Sequence, residues 1–312
     1  MKILLARPRG FCAGVVRAVD IVDIALQKFP APIYVRKEIV HNRAVVDDFK
    51  SRGVVFIDTL DEAPPQSLVV FSAHGVSPEV RRRAEERGLR VIDATCPLVT
   101  KVHLEVHRFR REGYRLLLVG HREHDEVEGT LGEAPGEITL VENAEDVARL
   151  PFPPDEKIMI LTQTTLSLDE TRGVILAIKN RFSNAHTPPK DDICYATQNR
   201  QDAVKDLLRR GIDLLLVVGS KNSSNSQRLV DVARQSGCAA HLIDGAGEID
   251  PAWLAGVKTV GLTAGASAPE HLVQGVVALL TGRGGRVEEV TVREEDVHFS
   301  LPKELAGLTP TR

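Results

Sequence analysis

The chain has 312 residues, 43% hydrophobic and 27% charged, with a formal net charge of −3. That length suits two or three domains, and the composition is that of an ordinary soluble globular protein. The charge balance gives no positive field that would make nucleic acid the main partner, and no run approaches the ~20 apolar residues of a membrane span.

The first strand-like run, Ile3 to Leu5, is too short for a signal peptide and meets Arg7 and Pro8 at once. A cytoplasmic location is therefore expected. Thiols there stay reduced, so Cys12, Cys96, Cys194 and Cys238 are expected to be buried, catalytic or metal-bound rather than disulfide-paired.

Cys12 sits in R-G-F-C-A-G-V, where the strand hands over to a helical pattern carried by Val15, Val16, Val19 and Val22. Strand-like P-I-Y-V (32–35) follows, then the polar loop E-I-V-H-N (38–42), then V-V-F-I-D, then L-V-V-F-S-A-H-G (68–75). The same succession restarts at Cys96. A helical pattern leads to R-L-L-L-V-G (115–120), the loop G-H-R-E-H-D-E (120–126), I-T-L-V-E and K-I-M-I-L-T-Q-T-T (157–165). It restarts again at Cys194, with D-L-L-L-V-V-G (213–219), G-S-K-N-S-S-N (219–225), A-H-L-I-D and T-V-G-L-T-A-G-A-S (259–267).

Strands alternating with helices predict parallel sheets with right-handed crossovers. The expected fold is α/β, with three pseudo-repeated α/β domains built on small parallel sheets. Their expected bounds are 13–95, 96–193 and 194–281, followed by a C-terminal tail at 282–312. The N-terminal strand (1–12) is a candidate to pack with the third domain.

Each of the three cysteines is expected to open the first helix of its unit. A helix N-terminus favours thiolate, the form that binds soft metals and iron–sulfur clusters. Three thiolates without an obvious fourth ligand suggest one open coordination position, whereas a structural zinc site would be closed. The separations, 84 residues between Cys12 and Cys96 and 98 between Cys96 and Cys194, match no zinc-finger pattern. A sensing or binding protein that holds a cluster or zinc structurally is the competing class. Cys238, in S-G-C-A-A-H-L-I, is expected to be a small buried apolar residue.

Ligands gather at the carboxyl ends of parallel strands. The polar loops there offer His41, His74, His124, Thr164, Thr165, Ser223, Ser224, Asn225 and Ser267. Hydroxyls, amides, imidazoles and helix N-termini are groups that bind phosphate. His121 and His124 in H-R-E-H also have the look of a metal pair, but their spacing in a loop is a weak signal.

Taken together, the motifs resemble the 4-hydroxy-3-methylbut-2-enyl diphosphate reductase family. They are R-G-F-C-A-G-V, I-V-H-N, F-S-A-H-G-V-S, D-A-T-C-P-L-V-T-K-V-H, H-D-E-V-E-G-T, T-Q-T-T-L-S, D-D-I-C-Y-A-T-Q-N-R, G-S-K-N-S-S-N-S and T-A-G-A-S-A-P, in order from residue 9 to 269. The tail E-E-D-V-H-F-S-L-P-K-E-L is also similar. The resemblance implies a [4Fe-4S] cluster on Cys12, Cys96 and Cys194 at the centre of three α/β domains, its fourth iron open to the substrate hydroxyl. It places the diphosphate among residues matching His41, His74, His124, Ser223, Asn225 and Ser267, with Thr164 near the hydroxyl. It implies that Glu126 helps deliver protons and that electrons come singly from ferredoxin or flavodoxin. The family usually has proline where this chain has Asp125, which makes Asp125 an alternative proton donor. Negative charge on a bound diphosphate and a reduced cluster is expected to raise the pKa of Glu126.

Overall fold

The computed structural model describes residues 1–308. Strands β1 (Lys2–Arg7), β2 (Ile33–Arg36), β3 (Val54–Ile57), β4 (Leu68–Phe71), β5 (Arg90–Asp93), β6 (Arg115–Val119), β7 (Ile138–Val141), β8 (Ile158–Thr162), β9 (Ala185–His186), β10 (Leu214–Val218), β11 (Ala239–Ile243), β12 (Thr259–Ala264) and β13 (Arg286–Thr291) make up the sheets. Helices α1 (Ala13–Lys28), α2 (Arg43–Ser51), α3 (Pro78–Glu86), α4 (Pro97–Arg111), α5 (Asp125–Leu131), α6 (Ala144–Ala148), α7 (Leu168–Arg181), α8 (Tyr195–Arg209), α9 (Ser224–Gln235) and α10 (Glu270–Gly282) connect them.

Among the described residues the strands form three sheets, ordered β3-β2-β4-β5, β7-β6-β8-β9 and β11-β10-β12-β1-β13. Every pairing is parallel. Central strands such as L-L-L-V-V in β10 are buried along their whole length, as a parallel sheet covered on both faces requires. The third sheet separates two apolar clusters, one holding Leu5, Leu216 and Leu262 and the other Leu4, Leu215 and Val217.

The expected α/β class with three small parallel sheets is what the chain forms. The alternating apolar runs correctly gave the first three strands of each unit. Each sheet, however, has a fourth position, filled by β5, β9 and β1 respectively, and of these the apolar pattern reveals only β1, the strand-like run Ile3 to Leu5. β5 is only four residues long with Ile92 alone buried, and β9 has only two residues, so neither makes an apolar run. In the third sheet the fourth position is taken by the chain's own N-terminus. β1 lies beside β12, with Ile3 opposite Val260. The segment beyond 281 is likewise part of that sheet, since β13 pairs with β1 from Lys2–Arg286 to Arg7–Thr291. Only Val290 of β13 is buried, which explains why the strand was read as tail.

The chain divides into two compact units. One comprises Met1–Val16, Val40–Phe49 and Tyr195–His298 and contains the five-stranded sheet. The other comprises Arg17–Ile39, Lys50–Cys194 and the segment from Phe299 onward, and contains both four-stranded sheets.

If β1 is an integral member of its sheet, Leu4, 2% exposed, carries core energy. Leu4→Ala is expected to lower the unfolding free energy by roughly 2–5 kcal/mol, read by denaturant titration. A loss well under 1 kcal/mol would make β1 a dispensable extension.

Candidate active site

In all three sheets the first and third strands of a unit lie side by side, and the chain turns to opposite sides from them. Such a switch point opens a crevice at the carboxyl ends of the strands. The sequence uses this place identically three times. Five residues after the end of β2, β6 and β10 stand His41, His124 and Ser223. Three residues after the end of β4, β8 and β12 stand His74, Thr165 and Ser267.

The cysteines obey the same register. Two residues past the third strand of each sheet, a carbonyl accepts a cysteine peptide N–H. Ala73 accepts from Cys96 at 3.0 Å, Thr164 from Cys194 at 3.0 Å and Ala266 from Cys12 at 3.1 Å. Each cysteine is thus tied to the sheet that precedes it in the cycle, although it stands directly before a helix of the next unit. α4, after Cys96, packs on β6 and β8, and α8, after Cys194, packs on β1 and β12. Each cysteine stands at the start of a helix as expected, and its peptide N–H also ties it to the preceding sheet. All three are half-buried and none of the four cysteines forms a disulfide. Cys238 is only half-buried too, against the expectation. It stands just before β11, at the edge of the core beneath α9, with Sγ 3.8 Å from the Ile212 carbonyl oxygen.

In the unit that holds the five-stranded sheet, Gly10 makes the turn into Cys12. Its φ is +65°, and a Cβ there would lie 3.1 Å from the Ala268 carbonyl oxygen. Arg200 is fully buried and donates Nε and Nη2 to the Gly10 carbonyl at 3.2 and 2.7 Å. Its charge is met by Glu295 at 3.1 Å, which also accepts from Asn199 at 2.9 Å. Ser223 caps α9, accepts a hydrogen bond from Ser226 Oγ at 3.0 Å and lies 3.5 Å from Ser267 Oγ. Ser267 donates to the His41 carbonyl at 2.8 Å. Asn225 uses its amide oxygen on the Ala266 N–H at 2.8 Å and its amide nitrogen on Thr197 at 3.3 Å. Ser224 is buried in the first turn of α9.

In the other unit, Cys96 is the N-cap residue of α4, followed by Pro97. Arg17 donates to the Thr95 carbonyl at 3.0 Å. Lys101 reaches the approach to Cys194, donating to the Lys190 carbonyl at 3.1 Å and to Asp192 Oδ1 at 2.7 Å, while Asp192 Oδ2 accepts the Thr162 N–H at 3.0 Å. His124 caps α5, its Nδ1 accepting the Glu126 N–H at 3.1 Å, and its ring meets that of His74 edge-on with centroids 5.7 Å apart. His74 Nδ1 is 3.3 Å from Ser72 Oγ. Thr165 Oγ1 accepts from the Gln163 amide at 2.8 Å.

Glu126 and Thr164 are joined twice. The carboxyl accepts the Thr164 N–H at 2.7 Å and the Thr164 hydroxyl at 2.9 Å. Glu126 is buried, and burial is the main cause that pushes its carboxyl from an ordinary value near 4.5 up to about 7; the Thr164 hydrogen bonds and His103 pull it back, and Asp192 adds to the rise. Ligand charge was the expected cause of the rise; desolvation by the protein achieves it without a ligand. Asp125 is placed differently, with its carboxylate 3.9 Å from Lys37 Nζ. Arg17, Lys101, His103, Asp192, Asn199, Arg200 and Glu295 were missed as site residues. All lie in or beside quoted motifs, but nothing in their spacing shows what they touch.

These features define an α/β protein in which three equivalent strand ends each carry one cysteine and a set of hydroxyl, amide or imidazole side chains. The chain belongs to the LytB protein family, whose profile matches residues 3–281. It is 57% identical over 311 residues to the 4-hydroxy-3-methylbut-2-enyl diphosphate reductase of Stenotrophomonas maltophilia (strain K279a), covering 98% of each chain. It is 59% identical over 306 residues to the enzyme of the same name from Bordetella pertussis (strain Tohama I), covering 98% of this chain and 94% of that one. Among solved structures, the E-1-hydroxy-2-methyl-but-2-enyl-4-diphosphate reductase of Plasmodium falciparum superposes with a TM-score of 0.95 at 40% identity, covering 97% of this chain and 96% of that one. A second, described as the terminal enzyme of the non-mevalonate pathway, gives 0.65 at 34% identity over 90% of this chain and 100% of that one. The family inferred from the motifs is therefore the right one. No helix among the described residues is long and apolar enough to cross a membrane.

A carboxyl harder to ionise in the folded than in the unfolded chain binds more protons when folded between about pH 4.5 and 7. Stability contributed at low pH is then lost as pH rises through that window. Glu126→Gln is expected to flatten the fall in melting temperature across it and to melt above the parent beyond pH 7. Parallel melting curves against pH would show that Glu126 ionises normally.

Proposed function

We propose that this chain is an iron–sulfur reductase. It takes 4-hydroxy-3-methylbut-2-enyl diphosphate with two electrons and two protons to isopentenyl or dimethylallyl diphosphate and water. The observation that carries the reading is the threefold recurrence of a half-buried cysteine hung by its N–H on a strand-end carbonyl. The donor set fits a [4Fe-4S] cluster: three thiols, none in a disulfide, each directly before a helix that favours thiolate. Cys12, Cys96 and Cys194 would hold it. Such a cluster, when bound, supplies electrons singly and an iron with an open position for the substrate hydroxyl.

The chain's own residues do the rest. His41, His74, His124, Ser223, Ser224, Asn225, Ser267 and Thr165 bind the diphosphate through hydroxyl, amide and imidazole groups at the strand ends. The fixed helix starts at His124 and Ser223 orient those groups. Thr164 holds its hydroxyl between Glu126 and the substrate hydroxyl. Glu126, buried and still protonated near neutral pH, donates at its carboxyl oxygen to the departing hydroxyl. Electrons come from a small carrier such as ferredoxin or flavodoxin.

Anaerobic purification tests this. The expected protein is brown, contains iron and oxidises reduced viologen when given the allylic diphosphate. Cys12→Ser, Cys96→Ser and Cys194→Ser should each lose iron, while Cys238→Ser keeps it. Glu126→Gln should keep iron and substrate binding while turnover falls by roughly 10²–10⁴. A colourless protein with one zinc, or near-normal turnover in Glu126→Gln with a large loss in Asp125→Asn, would overturn the cluster or the proton assignment respectively.

A further inference from the structure

The motif G-S-K-N-S-S-N-S ends on Ser226, whose hydroxyl has no role in the chemistry above. Ser226 is fully buried in the first turn of α9. Its Oγ reaches between the ends of two neighbouring strands, β10 and β12. A Cβ on Gly219, the residue after β10, would overlap that oxygen, and so would a Cβ on Gly265, the residue after β12. Two glycines thus leave room for one hydroxyl.

That hydroxyl heads a line of hydrogen bonds. Ser226 Oγ is 3.0 Å from Ser223 Oγ, Ser223 Oγ is 3.5 Å from Ser267 Oγ, and Ser267 Oγ is 2.8 Å from the His41 carbonyl oxygen. A carbonyl has no proton to give, so this end sets the direction of the whole line. Ser267 donates to His41. The proton between Ser223 and Ser267 then comes from Ser223, and the proton between Ser226 and Ser223 comes from Ser226. Ser223 also accepts the Ser226 N–H at 3.4 Å. Both lone pairs of the Ser223 hydroxyl are therefore taken up by Ser226. Its single proton is left on the longest and weakest contact of the line.

The second unit shows that packing alone does not call for a hydroxyl here. Ser226 stands eight residues after the end of β10, and eight residues after the end of β6 stands Val127, which is 1% exposed. The glycine after the strand recurs as Gly120, where a Cβ would lie 2.7 Å from Val127 Cγ2. One frame is filled by a methyl group in the unit of His124 and by a hydroxyl in the unit of Ser223.

We propose that Ser226 is a positioning residue for diphosphate binding: it fixes Ser223 as a hydrogen-bond donor, whose proton turns from Ser267 to a phosphate oxygen when the ligand arrives. The inference rests on the reductase reading, which brings a diphosphate to Ser223. Ionised phosphate oxygens accept hydrogen bonds, so a Ser223 hydroxyl that presented a lone pair to them would repel them. Ser226 occupies those lone pairs and leaves the donor orientation. The turn gives up only the 3.5 Å contact. Ser226 acts on the ligand only through Ser223.

The test is anaerobic calorimetry with inorganic pyrophosphate on the iron-loaded protein, comparing Ser226→Ala with the parent and repeating the comparison in a Ser223→Ala background. One neutral hydrogen bond is at stake, so Ser226→Ala is expected to weaken pyrophosphate binding roughly threefold to tenfold. The KM for the allylic diphosphate should rise by a similar factor, with a smaller change in kcat and the same iron content. In the Ser223→Ala background the substitution should cost nothing further, because the two hydroxyls act as one unit. Ser226→Val, which copies Val127 and keeps the site filled, should give the same pair of results and covers the case in which the alanine variant does not fold. Unmoved pyrophosphate affinity and KM overturn this inference alone. So does an equal loss with and without the Ser223 hydroxyl, which would make Ser226 a packing residue. A parent protein that does not turn over the allylic diphosphate overturns the reductase reading and this inference with it.

Discussion

A single hydrogen bond, from a cysteine peptide N–H to the carbonyl two residues beyond a strand, organises the molecule. It fixes where each sheet ends and the next helix begins, so every thiol is placed by backbone geometry rather than by a flexible side-chain contact. A cation then secures the approach to each anchor, and the three cations follow a cyclic order. Arg17, on the helix after Cys12, holds the carbonyl before Cys96. Lys101, on the helix after Cys96, holds the segment before Cys194. Arg200, on the helix after Cys194, holds the turn before Cys12. Each of these helices thus holds the backbone just ahead of a cysteine. Hydrogen bonds from charged donors to backbone carbonyls are strong enough to define such turns.

Much of this was legible in the sequence because period and register survive translation into structure. The apolar runs marked the strands buried on both faces, and the polar residues after them fell at matched positions, as His41, His124 and Ser223 do. What was not legible depends on partners distant in sequence. β9 is two residues long and carries no period. β13 exposes every residue but Val290, and it is a strand because β1 presents an edge to it. Cys96 looks in sequence like the start of α4, and only the hydrogen bond to Ala73 shows that it also ends the preceding unit. Arg200 could be read as a solvated helix residue, yet it is fully buried because Gly10 and Glu295 meet it across 190 and 95 positions.

The matched registers also place one buried carboxyl where the other units carry different side chains. Seven residues after the end of β6 stands Glu126, and seven after the end of β10 stands Asn225. Both do the same structural work. Glu126 accepts the N–H of Thr164 and Asn225 accepts the N–H of Ala266, the two residues whose carbonyls anchor Cys194 and Cys12. The amide suffices for that work and cannot ionise near neutral pH. A carboxyl in the same buried position is driven toward its protonated form by desolvation. One carboxyl oxygen stays on the anchor peptide while the other faces the Thr164 hydroxyl, so the group can hold the cysteine loop and a proton together. The equivalent position after β2 is Arg43, which leads into α2 and donates its N–H to Ser220. Of three topologically equal places, the chain puts an acid in one, an amide in another and a cation in the third. The asymmetry of the proposed chemistry thus comes from side-chain choice on a repeated backbone frame, not from any difference in the frame itself.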